Sequence, residues 1–217
     1  MHFLLIDTCG SEGSVALADT ALADAVVAVE VLPGRTASER LVPAVRRVME
    51  ACGWRLAELT AVVVVHGPGS FTGVRVGLSA AKGLSEAGGV PLIAVSRLAL
   101  LAACAEGDVV HAVLDAGRGE FYFGEYAGRE CLREALLTGE EVLSAAGATV
   151  MVCETKVAEA LADLKPRVVA EPRAEDALPF AVERAVAGGF DDAALLDANY
   201  LRRTDAEIFA KPKSAVR

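Results

Sequence analysis

Two aspartates, each closing a short apolar run and each followed by a glycine-bearing turn, are the groups in this chain best placed for phosphate or metal chemistry. The first turn reads Asp7-Thr8-Cys9-Gly10-Ser11-Glu12-Gly13-Ser14, the second Asp115-Ala116-Gly117-Arg118-Gly119-Glu120. A carboxylate at a strand end can hold a hydrated Mg²⁺, and a turn with glycines and hydroxyls can offer backbone N–H groups to a phosphate. On that reading Asp7, Thr8, Ser11, Asp115 and Gly117 form a vestigial phosphate or nucleotide site, joined by Gly69 and Ser70 of a glycine-rich loop. An ordinary β-hairpin needs the same residue types for its turn, so neither turn decides alone.

The loop Gly67-Pro68-Gly69-Ser70-Phe71-Thr72-Gly73 joins an apolar strand to a helix expected from Val74 to about Ala87. Its glycines permit positive φ and close approach of another backbone, and a helix start can receive an anion. It is not a P-loop, because Arg75 rather than Lys-Ser/Thr stands beyond the last glycine. The helix itself is small or apolar nearly all round, with Gly77, Ala80, Ala81 and Gly83, and before Glu86 only Arg75 and Lys82 are charged. A surface helix has a clear polar face. One face is therefore expected to cover a sheet and the other to meet a partner helix. The expected partner interface is Val74, Arg75, Leu78, Ala81 and Lys82, flanked by the stripe Leu41, Val45 and Val48 of the preceding helix; burial within the same chain is the competing reading.

Other chemistry is poorly supported. His2, His66 and His111 are scattered, with no HxxxH or HExxH spacing, and Ser70 is not in a GxSxG setting. No metal site is expected. His66 reads as a strand-end residue rather than a base. The five cysteines, Cys9, Cys52, Cys104, Cys131 and Cys153, include no CxxC pair, which fits a reducing compartment. The formal net charge of −9 and the lack of a basic run argue against stand-alone RNA binding. An apolar run that meets Asp7 so early is no signal-peptide core, and no run of about eighteen apolar residues could span a membrane. A cytoplasmic location is expected.

The elements that must position these residues follow from period and punctuation. Hydrophobic residues make up 53% of 217, aromatics only 5%, so Ala, Val and Leu carry the core of strands covered on both faces. Strands are expected at His2–Ile6, Ser14–Ala18 and Ala25–Val31. A helix opened by Thr36 and Glu39 in capping-box spacing runs to about Ala51. A strand at Ala61–Val65, the Val74 helix and a strand at Pro91–Val95 complete the unit. The order recurs: Val109–Leu114 ending at Asp115, Glu120–Tyr126, Cys131–Leu137, a helix Glu140–Ala146, a strand Thr149–Cys153 and a helix Lys156–Asp163. A strand at Val168–Ala170 and a helix Asp176–Ala187 follow. Two βββαβα units predict an α/β protein of two lobes, residues 1–106 and a smaller, more divergent 107–217 whose last segment packs back on the first.

With those residues in view, the chain resembles the TsaB family of bacterial accessory proteins in threonylcarbamoyladenosine modification of tRNA. The resemblance rests on Gly67–Arg75 (GPGSFTGVR), Val76-Gly77-Leu78, Ala81-Lys82-Gly83-Leu84 and Pro91–Ser96. It extends to Leu5-Ile6-Asp7-Thr8, Ser14–Leu17, Asp115–Tyr122 and the tail Asn199-Tyr200-Leu201-Arg202. It is strong to about Tyr122 and faint from Glu130 to Leu196.

The resemblance implies an actin-like (ribonuclease H-like) fold and a non-catalytic role as adaptor to a catalytic subunit, TsaD, with a small ATPase subunit, TsaE. It implies tRNA contact only through the complex, and self-association when the partner is absent. No cofactor is expected on the chain alone; ATP or ADP with Mg²⁺ would sit only at a joint interface. The catalytic relative's metal-binding HxxxH falls here at Arg97 and Leu101, neither a suitable ligand. The relative's adenosine-binding turn becomes Cys153-Glu154-Thr155-Lys156, which lacks glycine. Two departures from the family are Ala37 in place of a histidine and Gly117 in place of an arginine. The enzyme alternatives are a minimal actin-like ATPase or kinase using Asp7 and Asp115 and, with less support, a metallopeptidase of the M22 glycopeptidase type.

Overall fold

Runs of β-branched residues with no polar member, such as Ala61–Val65, can be buried only when both faces of their sheet are covered, and the fold does this twice. The computed structural model describes residues 1–34, 36–147 and 149–201. Strands β1 (His2–Asp7), β2 (Gly13–Asp19) and β3 (Val26–Leu32) form an antiparallel meander. Helix α1 (Ala37–Cys52) leads to β4 (Ala61–Val65), which pairs parallel with β1, and α2 (Phe71–Gly88) leads to β5 (Leu92–Val95), parallel with β4. A short helix α3 (Arg97–Ala102) then enters the second half.

There β6 (Val110–Gly117), β7 (Glu120–Ala127) and β8 (Glu130–Thr138) repeat the meander. They are followed by α4 (Gly139–Ala145), β9 (Val150–Val152), α5 (Thr155–Ala160) and β10 (Arg167–Val168). The two sheets have the orders β3-β2-β1-β4-β5 and β8-β7-β6-β9-β10, the same topology twice. The repeat expected from element order is therefore a repeat of sheet connectivity, in an α/β, two-lobed actin-like fold.

The helices cross the division between residues 106 and 107. Every residue of α3 is buried, and it packs on β6 and β7 of the second sheet. In return a 3₁₀ turn at Ala174–Ala177 and helix α6 (Leu178–Val186) pack on β1, β2, β4 and β5 of the first. A single apolar cluster accordingly runs from Phe3, Leu5 and Val63 through Leu98 and Leu101 to Ala112, Tyr126 and Phe180. The last described residues fold back: Asp191 N–H donates to Leu92 O at 2.8 Å and Asn199 N–H to His66 O at 2.9 Å. Among the described residues no helix is long and apolar enough to cross a membrane. Arg202, the end of the tail motif, lies outside them.

Local chemistry accounts for most boundaries. Helix α2 starts at Phe71, three residues before the expected Val74, because the Ser70 hydroxyl accepts from Gly73 N–H and caps it there. The capping box expected at Thr36 does not form: the Thr36 hydroxyl donates to Pro33 O at 2.7 Å instead. The expected Asp176–Ala187 helix begins as the 3₁₀ turn and becomes α-helical at Leu178.

Candidate functional site

The glycine-rich loop is seated on the Asp7 turn. Ser70 N–H donates to Cys9 O at 2.9 Å, and the Thr8 hydroxyl donates to Gly73 O at 2.6 Å. A Cβ at Gly69 would lie 2.4 Å from Cys9 O, one at Gly73 only 1.9 Å from Thr8 O, and one at Gly77 2.4 Å from Thr8 Oγ1. Three glycines on the side facing the turn are thus what brings α2 down onto β1. Gly83, on the far side of the helix, has nothing within 4 Å of its Cβ position. The loop and helix start also border a cavity of about 430 Å³ lined by Thr8, Gly10, Ser11, Ala37, Ser38, Ser70, Phe71 and Thr72. Of the expected phosphate residues this brings together Thr8, Ser11 and Ser70, with Gly69 beside them.

Asp7 lies beneath this turn, 2% exposed, and accepts from Cys9 N–H at 2.7 Å. Burial pushes its carboxyl up, opposed by the nearby Arg97 guanidinium and the Cys9 N–H. Arg97 is itself 5% exposed. Burial alone would lower its pKa, but Asp7, Cys153, Cys9 and Glu171 outweigh that and raise it. Its guanidinium pairs with Glu171, whose carboxylate also accepts from Ser11 N–H at 2.9 Å and from the Ser11 hydroxyl. Burial works to raise the Glu171 pKa; the Ser11 and Arg97 hydrogen bonds and charge lower it on balance. The cleft face of the Asp7 turn therefore already holds a cation supplied by the chain.

Asp115 is committed in a similar way. It takes Lys156 Nζ at 2.6 Å and Gly117 N–H at 3.1 Å, while its own N–H donates to Glu154 at 2.8 Å. The Cys153–Lys156 stretch is thus occupied with the Asp115 turn. Gly117, Arg118 and Gly119 all have positive φ, which explains the glycines as turn geometry. Leu101 is in the core, and His66 Nδ1 donates to Val95 O at 3.0 Å, as suits a strand-end residue. Among the described residues no three His, Cys, Asp or Glu side chains are gathered as a metal site.

The expected interface residues divide. Leu41, Val45, Val48, Val74, Leu78 and Ala81 are all buried in the chain's own core. They cover the first sheet and cannot also meet a partner, so the apolar stripes mark the inward faces of α1 and α2. Arg75 and Lys82 are engaged by the returning C-terminal segment: Arg75 Nε donates to the Tyr200 hydroxyl at 2.7 Å, and Lys82 Nζ to Leu196 O at 2.5 Å. The Arg75 guanidinium also lies 3.4 Å from the Phe71 ring centre. The outward side of the two helices carries Val42, 57% exposed, and Phe71, 60% exposed, with Ser79, Gly83 and Ala87.

Sequence reasoning missed Glu171, Glu134 and the structural role of Arg97. One signal was present: an arginine opening the otherwise apolar Arg97–Ala102 helix is a charge that must be neutralised once the helix is buried. Its acceptor, Glu171, lies 74 residues away in sequence, beyond any motif.

A family model described as TsaD, tRNA N6-adenosine threonylcarbamoyltransferase, matches residues 31–182. The tRNA threonylcarbamoyladenosine biosynthesis protein TsaB of Bacillus subtilis (strain 168) is 34% identical over 149 residues, 67% of this chain and 63% of that protein. The Escherichia coli (strain K12) protein of the same description is 37% identical over 130 residues, 58% of this chain and 55% of that one. A solved Pseudomonas aeruginosa structure, described as an uncharacterized protein with similarity to peptidase YEAZ, superposes with a TM-score of 0.77 at 30% identity, over 93% of this chain and 99% of that one. This chain belongs to the family of that model, described as TsaD, tRNA N6-adenosine threonylcarbamoyltransferase.

The matches span less than two thirds of either curated TsaB protein. The P. aeruginosa structure, by contrast, is covered almost end to end. The likeness to that structure thus reaches the second half, where the sequence resemblance is faint.

Proposed function

We propose that this chain acts in tRNA threonylcarbamoyladenosine synthesis as a non-catalytic adaptor that binds and activates the threonylcarbamoyltransferase subunit, TsaD. The observation that carries this reading is Arg97. It is buried beside Asp7, whose charge it acts on, and pairs with Glu171, while Asp115 pairs with Lys156. A site for phosphate and Mg²⁺ keeps its carboxylates available for the metal; here Asp115 is taken by Lys156 and Asp7 is buried, with its carboxyl accepting from Cys9 N–H. The helices α1 and α2 instead offer an outward face with exposed Val42 and Phe71 and small residues between. Small residues let a partner helix approach closely, and a buried apolar anchor gives such contacts their energy.

In this account the outward faces of α1 and α2 pack against two helices of TsaD. The ATPase subunit TsaE joins the assembly, any ATP or ADP with Mg²⁺ sits at a joint interface, and tRNA is held by the complex. Without its partner the same face can pair two copies of this chain. Co-expression with TsaD tests the reading: the two should co-purify as a stoichiometric complex. Micromolar binding of ATP and Mg²⁺ by the isolated chain in calorimetry would instead favour the ATPase alternative.

A further inference from the structure

The chain passes between its two sheets at α3, going out, and between β10 and the 3₁₀ turn at Ala174–Ala177, coming back. Two adjacent residues at the start of the outward passage, Ser96 and Arg97, are each gripped by a carboxylate from the other half. The Ser96 hydroxyl donates to Glu134 of β8, which also accepts from the Tyr126 hydroxyl of β7. The Arg97 guanidinium donates to Glu171, in the returning passage. The grip extends on both sides. Asn199 Nδ2 donates to the second oxygen of Glu134 at 2.5 Å while its backbone holds His66 O, and Ala174 N–H donates to the Ser14 hydroxyl on β2 at 2.8 Å.

We infer that Ser96 and Arg97, closed by Glu134 and Glu171, form a lock that fixes the angle between the two sheets and holds the C-terminal segment against α2. Glu134 receives hydrogen bonds from Ser96, Tyr126 and Asn199, and Glu171 receives two from Ser11 and one from Arg97. Opening the cleft would break hydrogen bonds to two partly buried carboxylates at once, and hydrogen bonds to carboxylates are stronger than those between neutral groups. Hinge-bending about the cleft is the motion this arrangement suppresses. Through Asn199, Tyr200 and Leu196 the same lock sets the flank of α2 at Arg75 and Lys82. The inference stands without the adaptor reading, since every contact is internal.

Residue-resolved amide exchange on the full chain tests it, comparing wild type with Glu134→Gln, Glu171→Gln and the double variant. Glutamine keeps the size of the side chain and removes its charge, so folding is retained where Arg97→Ala could abolish it. The Ala174 and Asn199 amides should exchange roughly tenfold faster or more in the double variant, the loss expected for charge-assisted hydrogen bonds. Those of Leu4 and Val63, inside the first sheet, should change less than about twofold. Unchanged exchange at Ala174 and Asn199 would overturn the lock. So would an equal acceleration at Leu4 and Val63, because the carboxylates would then act only on global stability.

Discussion

The carbonyl of Gly73 lies 2.6 Å from the hydroxyl of Thr8, its donor, though the two are 65 residues apart in sequence. This contact explains the glycine-rich signature better than phosphate binding does. The first turn of α2 rests on the backbone of the Asp7 turn, and Gly69, Gly73 and Gly77 are the positions where a side chain would collide with it.

Gly73→Ala should therefore destabilise the fold by about 3 kcal/mol or more, the upper range for overpacking, because its Cβ would meet backbone that cannot rotate away. Gly83→Ala, facing open space, should be neutral or stabilise by up to about 1 kcal/mol through helix propensity. Urea unfolding of the two variants measures both.

Acid stability should depend on Glu171. Its folded-state pKa is lowered, so its contribution is present above the ordinary glutamate range, near about 4.3, and is lost as pH falls through the lowered folded value. Asp7, raised by burial, has the opposite sign, favouring the fold at acid pH and opposing it as the carboxyl ionises. In Glu171→Gln the acid limb of a stability–pH curve should flatten. A limb identical to wild type would mean that Glu171 is not the group titrating there.

The cysteines should react in an order set by burial. Cys104 and Cys131 are exposed, whereas Cys9 is 1% exposed with its thiol donating to Val65 O at 3.1 Å. Burial, partly offset by Arg97, pushes the Cys153 thiol up to about 11. Since the thiolate is the reactive form, alkylation near about pH 8 of the native protein should label Cys104 and Cys131 first and Cys153 slowly. Cys9 should be labelled only on unfolding, as peptide mass mapping would record.

The strands were legible in the sequence because burial on both faces writes uniform Ala/Val/Leu runs, as at Ala61–Val65, and because Asp7 and Asp115 punctuate equivalent strands. The repeat was legible from order alone, since the two halves share connectivity rather than side chains. The orientation of α2 was not. Its small and apolar residues nearly encircle the helix, so composition could not say whether Leu78 and Ala81 face the core or a partner; the contact with β4 decides for the core. The ion pair of Arg97 with Glu171 was hidden for another reason: it depends on two chain crossings that no local pattern encodes. The cleft residues Asp7, Thr8, Ser11 and Asp115 were legible as a vestigial phosphate or nucleotide site; their internal partners Cys9 N–H, Gly73 O, Glu171 and Lys156 were not.

The adaptor account is tested most directly by reconstituted tRNA modification with variants on the outward face, Val42→Asp and Gly83→Glu. Both positions are exposed, so stability should move by only about 0.5 kcal/mol for Val42→Asp, and for Gly83→Glu the helix gains propensity. The account predicts that the double variant, folded and monodisperse, no longer co-purifies with TsaD and no longer supports threonylcarbamoyladenosine formation. Modification at the wild-type rate with the double variant would contradict it.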